Sequence, residues 1–230
     1  MSSIVSELTT LADPAYKTFQ GKLVPTVDPN TILGVRTPAL RNYAKKLAKT
    51  QTAEAQAFIK QLPHTYYEEN NLHGELIGLL SKTPEEAFRY LDAFLPYVDN
   101  WATCDLIRVP CLKKDLSATL EKIKEWISSE PEYMVRFGIV QLMTLYLDDA
   151  FKPEQLQLIL QIQRDEYYIN MARAWYFSFA LIKQKEATLP LFEKRPCLLD
   201  PWTHNKSLQK ARESRRITKE EKQYFQDLKV

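Results

Sequence analysis

The chain has 230 residues, enough for one large or two small domains with a substantial buried core. Its 45% hydrophobic and 26% charged content excludes a disordered chain, and no apolar run approaches the ~18 residues that cross a bilayer. A formal net charge of +2 does not by itself point to a polyanionic partner, so the distribution of charge has to be read instead.

The first residues, MSSIVSELTTLADP, lack the basic and strongly apolar regions of a signal peptide. A cytoplasmic protein with no membrane partner is therefore expected. With only 5 glycines and with 13 prolines falling mostly between periodic segments, helices joined by short turns are favoured over a sheet. The apolar period is helical almost throughout. It predicts helices over 38–49, 53–61, 66–81, 84–95, 101–113, 115–128, 131–147, 153–163, 166–184, 186–194, 202–214 and 218–228. Thr37 before Pro38, Thr83 and Pro84 with Glu86, Asp99 or Asn100 before Trp101, and Thr218 with Glu221 mark helix starts. Glu68 and Glu69 suit the beginning of the 66–81 helix, where negative charge meets the dipole. No segment alternates as a strand would.

Pairing these helices gives units of roughly 30–40 residues, the length of two-helix HEAT or armadillo repeats. The expected fold class is therefore all-α, a HEAT-like α-solenoid of antiparallel helix pairs in a single domain over residues 1–230. A compact irregular helical domain is the alternative, and it would bury the same aromatic residues as core.

Three cysteines, Cys104, Cys111 and Cys197, have no metal-type spacing and read as reduced thiols. His64, His73 and His204 are isolated in the sequence. No metal and no cofactor is expected. Two stretches are basic: GVRTPALRNYAKKLAK carries Arg36, Arg41, Lys45, Lys46 and Lys49 without an acid, and HNKSLQKARESRR carries Lys206, Lys210, Arg212, Arg215 and Arg216 against Glu213. Each is either part of a polyanion site or a solvated helix face.

The stretch DNWATCD holds the strongest chemical signal. Helical spacing puts Trp101 and Asp105 on one face, one turn apart, which sets an aromatic platform beside a carboxylate. Asp105 interrupts an apolar face, where an unpaired carboxylate is costly. Arg136 interrupts another, among Met134, Val135, Phe137 and Ile139. It either forms a purely structural ion pair with Asp105, or orients Asp105 for chemistry or holds a ligand phosphate. Trp175 lies among aromatic residues and is either core or a second platform.

The segments FQGKLVPTVDPNTILGVRTPALRNYAKKLAK, VDNWATCD, YMVRFGIV, YYINMARAW and DPWTHNKSLQKARESRRI resemble, in order and from about residue 14 onward, the AlkD-like DNA alkylation-repair family. The resemblance implies a HEAT-like α-solenoid whose concave basic face binds duplex DNA. It implies a monofunctional glycosylase that excises cationic N-alkylated purines, such as 3-methyladenine and 7-methylguanine, without flipping the base. It also implies that Asp105, Trp101, Arg136 and Trp175 form the catalytic set, the same four residues that stand out chemically. Asn205, Lys206, Lys210 and Arg215 in the C-terminal motif, with Arg36 and Arg41, are expected to contact DNA. The partner is then double-stranded DNA carrying alkylated bases, and the protein a monomer. The family also contains members that bind DNA without excision, and an α-solenoid interaction scaffold is a more distant alternative.

Overall fold

The computed structural model describes residues 3–230. The described residues are all-helical: their only β feature is an isolated bridge between Ala12 and Val35. The chain divides into two compact units, one running through Thr119 and the other covering Leu120–Val230.

In the first unit, α1 (Ser3–Thr10) and α2 (Pro14–Leu23) precede the first predicted helix. No helix was expected there from the apolar period. The reason lies in α2, whose one buried residue is Gln20 while Phe19 and Leu23 face out, so it shows no apolar stripe. It starts because Pro14 presets the first turn and Asp13 accepts from the amides of Ala15 and Tyr16 at 2.9 and 3.1 Å.

Then follow α3 (Thr37–Thr50), α4 (Thr52–Phe58), α5 (Tyr67–Leu80), α6 (Pro84–Phe94) and α7 (Trp101–Leu106). The cap of α3 is Arg36 rather than Thr37, which is already helical. The core joins Ile4 and Leu8 of α1 to Leu40, Tyr43 and Leu47 of α3 and to Leu72 and Leu76 of α5.

Glu68 does more than open α5. Its fully buried carboxylate accepts from the amides of Leu33, Gly34 and Val35 at 2.8, 2.7 and 3.1 Å, which ties the loop before α3 onto α5. Gly34 makes that approach feasible: its φ is +99°, and a Cβ there would stand 2.5 Å from the Asp13 carbonyl oxygen.

The helix expected over 101–113 ends at Leu106 and resumes only as a 3-10 turn, Pro110–Lys114. Pro110 cannot donate to a helix and disfavours helical backbone at Val109 before it. The extended residues between lie directly on α5, where Gly74 and Gly78 leave room. A Cβ on Gly74 would stand 2.8 Å from the Ile107 side chain, and one on Gly78 only 2.0 Å from the Arg108 carbonyl oxygen.

The boundary between the units falls within α8 (Leu116–Ile127). In the second unit, α9 (Glu132–Tyr146), α10 (Glu154–Leu160), α11 (Tyr167–Lys183), α12 (Lys185–Glu193), α13 (Pro201–Arg212) and α14 (Lys219–Asp227) follow. Packing centres on α11, which contacts α9, α12 and α13. Its Tyr176 and Phe177 are fully buried, and Phe177 meets Phe192 of α12 edge to face at 5.8 Å. The buried Arg173 donates to Asn170 at 2.7 Å and to Asp200, the N-cap of α13, at 3.1 Å. The expected capping box of Thr218 and Glu221 opens α14.

His64 and His73, separate in sequence, meet in the fold with Nε2 and Nδ1 2.8 Å apart. His64 stacks on Phe58 at 4.4 Å and His73 on Phe94 at 4.1 Å. Burial holds the His64 imidazole down to about 4, and burial with the charge of His64 holds His73 down to about 3.

Gly78→Ala should lower the unfolding free energy by about 1–3 kcal/mol, because a methyl there must displace backbone rather than a flexible side chain. Gly21→Ala, whose Cβ meets only Ile32 at 3.7 Å, should be neutral or stabilising by about 0.5–1 kcal/mol. Denaturant titration of the two variants checks the contrast. The histidine pair generates a pH dependence of known sign. The folded pair titrates below an unfolded histidine at 6.5, so its stabilisation is complete above that pH and falls as pH drops. Between about pH 6.5 and 5, above the carboxylate range, the melting temperature should fall, and a His64→Gln/His73→Gln variant should show a flatter slope.

Candidate functional site

Trp101 and Asp105 occupy a helix of six residues that other elements hold in place. Asn100 caps it, accepting from the Thr103 amide at 2.8 Å and donating through Nδ2 to the Thr103 hydroxyl at 2.9 Å. The same hydroxyl donates to Asn71 Oδ1 of α5 at 2.7 Å. Asn100, Thr103 and Asn71 are all buried, so this network fixes the start of α7 on α5 in a dry environment.

The indole N–H of Trp101 donates to the Leu23 carbonyl at the end of α2, 2.9 Å away. Its ring packs on the buried cluster of Val24, Val27, Ile32 and Tyr67. Tyr67 accepts from Gln20 at 2.9 Å, and burial pushes its phenol up to about 12, which keeps it a neutral part of this wall. Trp101 and Asp105 are both half-buried and so remain partly open to solvent.

In the second unit, Arg136 lies on α9 and is 4% exposed. Its Nη1 donates to the Tyr168 carbonyl in the first turn of α11 at 2.9 Å. One turn earlier on α9, Glu132 accepts from the Tyr168 amide at 3.1 Å. The two side chains together grip the amide and the carbonyl of one residue of α11, on its two flanking peptide units. This answers in part how a guanidinium survives in an apolar stretch: a backbone carbonyl takes one of its donors.

Trp175 is not core. Tyr176 and Phe177 beside it are fully buried, whereas Trp175 is half-exposed and lines a cleft of about 710 Å³. Phe179 meets its ring edge to face at 6.2 Å. Lys183 shares this wall, and Lys210 of α13 with Ser214 and Arg216 beyond it form the other side. Lys183 is bound to Asp148 at 2.7 Å, whereas Lys210 and Arg216 belong to no ion pair among the described residues.

The remaining expected DNA contacts differ in how committed they already are. The run containing Arg36 and Arg41 has no acid of its own but acquires several from elsewhere. Arg36 pairs with Asp13 at 2.9 Å and lies over the Tyr16 ring, Arg41 pairs with Glu75 at 2.7 Å, and Lys46 is 3.8 Å from Glu7. Asn205 exchanges two hydrogen bonds with the backbone of Val230, at 2.6 and 3.0 Å. Lys206 donates to Gln209 at 3.2 Å, and Arg215 is exposed.

Trp101 with Asp105 thus lies in one unit, and Arg136, Trp175 and Lys210 in the other. Four contributors were not singled out as site residues from sequence. Gly74 and Gly78, four residues apart in a predicted helix, signal a close backbone approach. Arg216 carries only the signal of its basic stretch, and Phe179 none beyond its aromatic neighbours, because the cleft they line is made by chain segments far apart in sequence.

The family model for DNA alkylation repair enzymes matches residues 4–193, and the chain belongs to that family. DNA repair is therefore its field of action, and DNA its binding partner. The match stops before α13, so the C-terminal motif lies beyond it. No curated protein and no solved structure matches the chain.

Proposed function

We propose that this protein is a monofunctional DNA glycosylase that removes cationic N-alkylated purines from duplex DNA. The observation that carries the reading is the pairing of Trp101 with Asp105 on a helix anchored from outside, both half-open to solvent, in a DNA alkylation repair chain. The helix-on-helix packing within each unit supports a HEAT-like architecture beneath it.

Alkylation at N3 or N7 leaves the purine positively charged, so the glycosidic bond breaks without prior protonation of the base. The C1′–N electron pair goes to the base, which departs neutral, and the sugar becomes oxocarbenium-like. The Asp105 carboxylate stabilises that developing charge and takes the proton of the water whose oxygen bonds to C1′. Trp101 and Trp175 favour a cationic nucleotide through their π faces. Arg136 steadies the carboxylate or a phosphate beside the lesion. No lysine enters the catalytic set, so neither a Schiff base nor strand cleavage follows. Lys210 with Arg216, then Lys206, Arg215 and Asn205, and less strongly the already paired Arg36 and Arg41, hold the phosphates.

A second reading is favoured by the bond from Arg136 to the Tyr168 carbonyl. If Arg136 is purely architectural, the protein recognises DNA without excising a base.

Incubation with duplex DNA carrying 7-methylguanine or 3-methyladenine should release the free base and leave the strand intact until heat or alkali is applied. Uracil and hypoxanthine, which are neutral, should stay in place. Asp105→Asn should bind DNA as before while single-turnover release falls roughly 10²-fold or more. Release unchanged in that variant removes Asp105 from the chemistry, and tight binding with no release of any cationic purine favours the second reading. For binding, Lys210→Ala and Arg216→Ala should each flatten the salt dependence of affinity by about one phosphate contact. Arg36→Ala and Arg41→Ala should change it less, which titrations at several salt concentrations would resolve.

A further inference from the structure

On the second unit, away from the cleft of Trp175, two large aromatic side chains lie open together. Tyr167 at the start of α11 is 56% exposed and Trp202 at the start of α13 is 42% exposed. Their rings meet at 5.7 Å and 61°. They are also backed: Tyr167 meets Tyr168 at 5.1 Å, and Tyr168 meets the buried Tyr133 at 5.6 Å. The ladder ties the exposed pair to the core, so it is a stiff platform rather than two loose side chains.

Trp202 forms one wall of a cleft of about 250 Å³, with Lys206, Gln209 and Lys229 around it. The charged side chains lining that cleft are both lysines, Lys206 and Lys229. The carboxylates nearest the two aromatic residues in sequence are already engaged, Asp200 by Arg173 and by the Thr203 amide, and Glu166 by Arg164. Lys229 is held at the rim because its neighbours are pinned: Val230 by Asn205, and the Leu228 carbonyl by His204 at 3.0 Å and Arg195 at 3.2 Å. A stiff aromatic face with two ammonium groups beside it complements a flat ring attached to a phosphate. Stacking on aromatic side chains with lysines on the backbone is how unpaired nucleotides are held, and within a duplex the bases are already stacked on both sides and offer no free face.

We propose that Tyr167, Trp202, Lys206 and Lys229 form a second nucleic-acid contact, which takes an unpaired base of single-stranded DNA on Trp202 and its phosphate on the two lysines. This rests on DNA binding by the chain but not on base excision. Affinity measured by anisotropy for a blunt duplex, and for the same duplex with a five-nucleotide single-stranded extension, tests it. The wild type should prefer the extended duplex by roughly tenfold, the scale of one stacked base. Tyr167→Ala/Trp202→Ala should abolish that preference and leave blunt-duplex affinity within about twofold, while Trp202→Phe should retain part of it. Equal wild-type affinity for the two duplexes overturns the inference, as does an equal loss on both in the double variant. So does a dimer in solution that Trp202→Ala dissociates, because the face would then be an interface between copies. Failure of the blunt duplex to bind at all would instead sink the DNA-binding reading on which the catalytic proposal stands.

Discussion

A helix of six residues closes too few hydrogen bonds to offset the entropy of its own nucleation. The most chemically suggestive part of this chain is such a helix, so its existence and its orientation are imposed by α5. Three constraints act on it from different sides. The Asn100–Thr103–Asn71 network holds its start, the Leu23 carbonyl holds the Trp101 ring, and the passage of residues 107–109 over Gly74 and Gly78 holds its exit. Because α5 also receives the loop at 33–35 through Glu68, one helix sets the relative positions of the end of α2, the wall beneath Trp101, and α7. Geometry at Asp105 is thus inherited from packing that lies elsewhere in its unit.

Buried charge is used in this fold chiefly as an architectural tool. Glu68 engages three backbone amides with its two oxygens, Arg173 joins α11 to the cap of α13, and Arg136 with Glu132 grips the backbone of one residue of α11. Each charge is taken from water and given hydrogen-bonding partners, without which its burial would cost several kcal/mol. A charged residue in an apolar run is therefore not by itself a mark of chemistry here. Arg173 looks as anomalous in sequence as Arg136, and its visible work is to hold two helices together.

Most helices were legible in the sequence, some because their apolar faces repeat strongly, as in α3 and α6, and others because long apolar runs bury them nearly all round, as in α9 and α11. The ends and the exceptions were not. α2 escapes because its outward side carries Phe19 and Leu23 and its buried side carries Gln20, so Asp13–Pro14 is its one local start signal. The overlong helix after Trp101 ignored Pro110 and could not anticipate the backbone lying on Gly78. At the candidate site, the chemical character of Trp101, Asp105, Arg136 and Trp175 could be read residue by residue. What could not be read was which basic residues are already neutralised. Arg36 and Arg41 meet Asp13 and Glu75 only through folding, across separations no local pattern encodes. The two histidines, nine positions apart, became neighbours for the same reason.

The bond from the Trp101 indole to the Leu23 carbonyl carries an implication for recognition. Indole has one donor and no acceptor, and here that donor is already spent inside the protein. Any ligand resting against Trp101 therefore meets a surface with no hydrogen-bonding vocabulary, able to sense shape and electrostatic sign alone. Such a surface distinguishes a positively charged ring from its neutral counterpart while remaining indifferent to the donor and acceptor pattern along the ring's edge. In the role proposed for Trp101, such a side chain would tolerate many chemically different adducts that share a charge and would be blind to the base sequence around them.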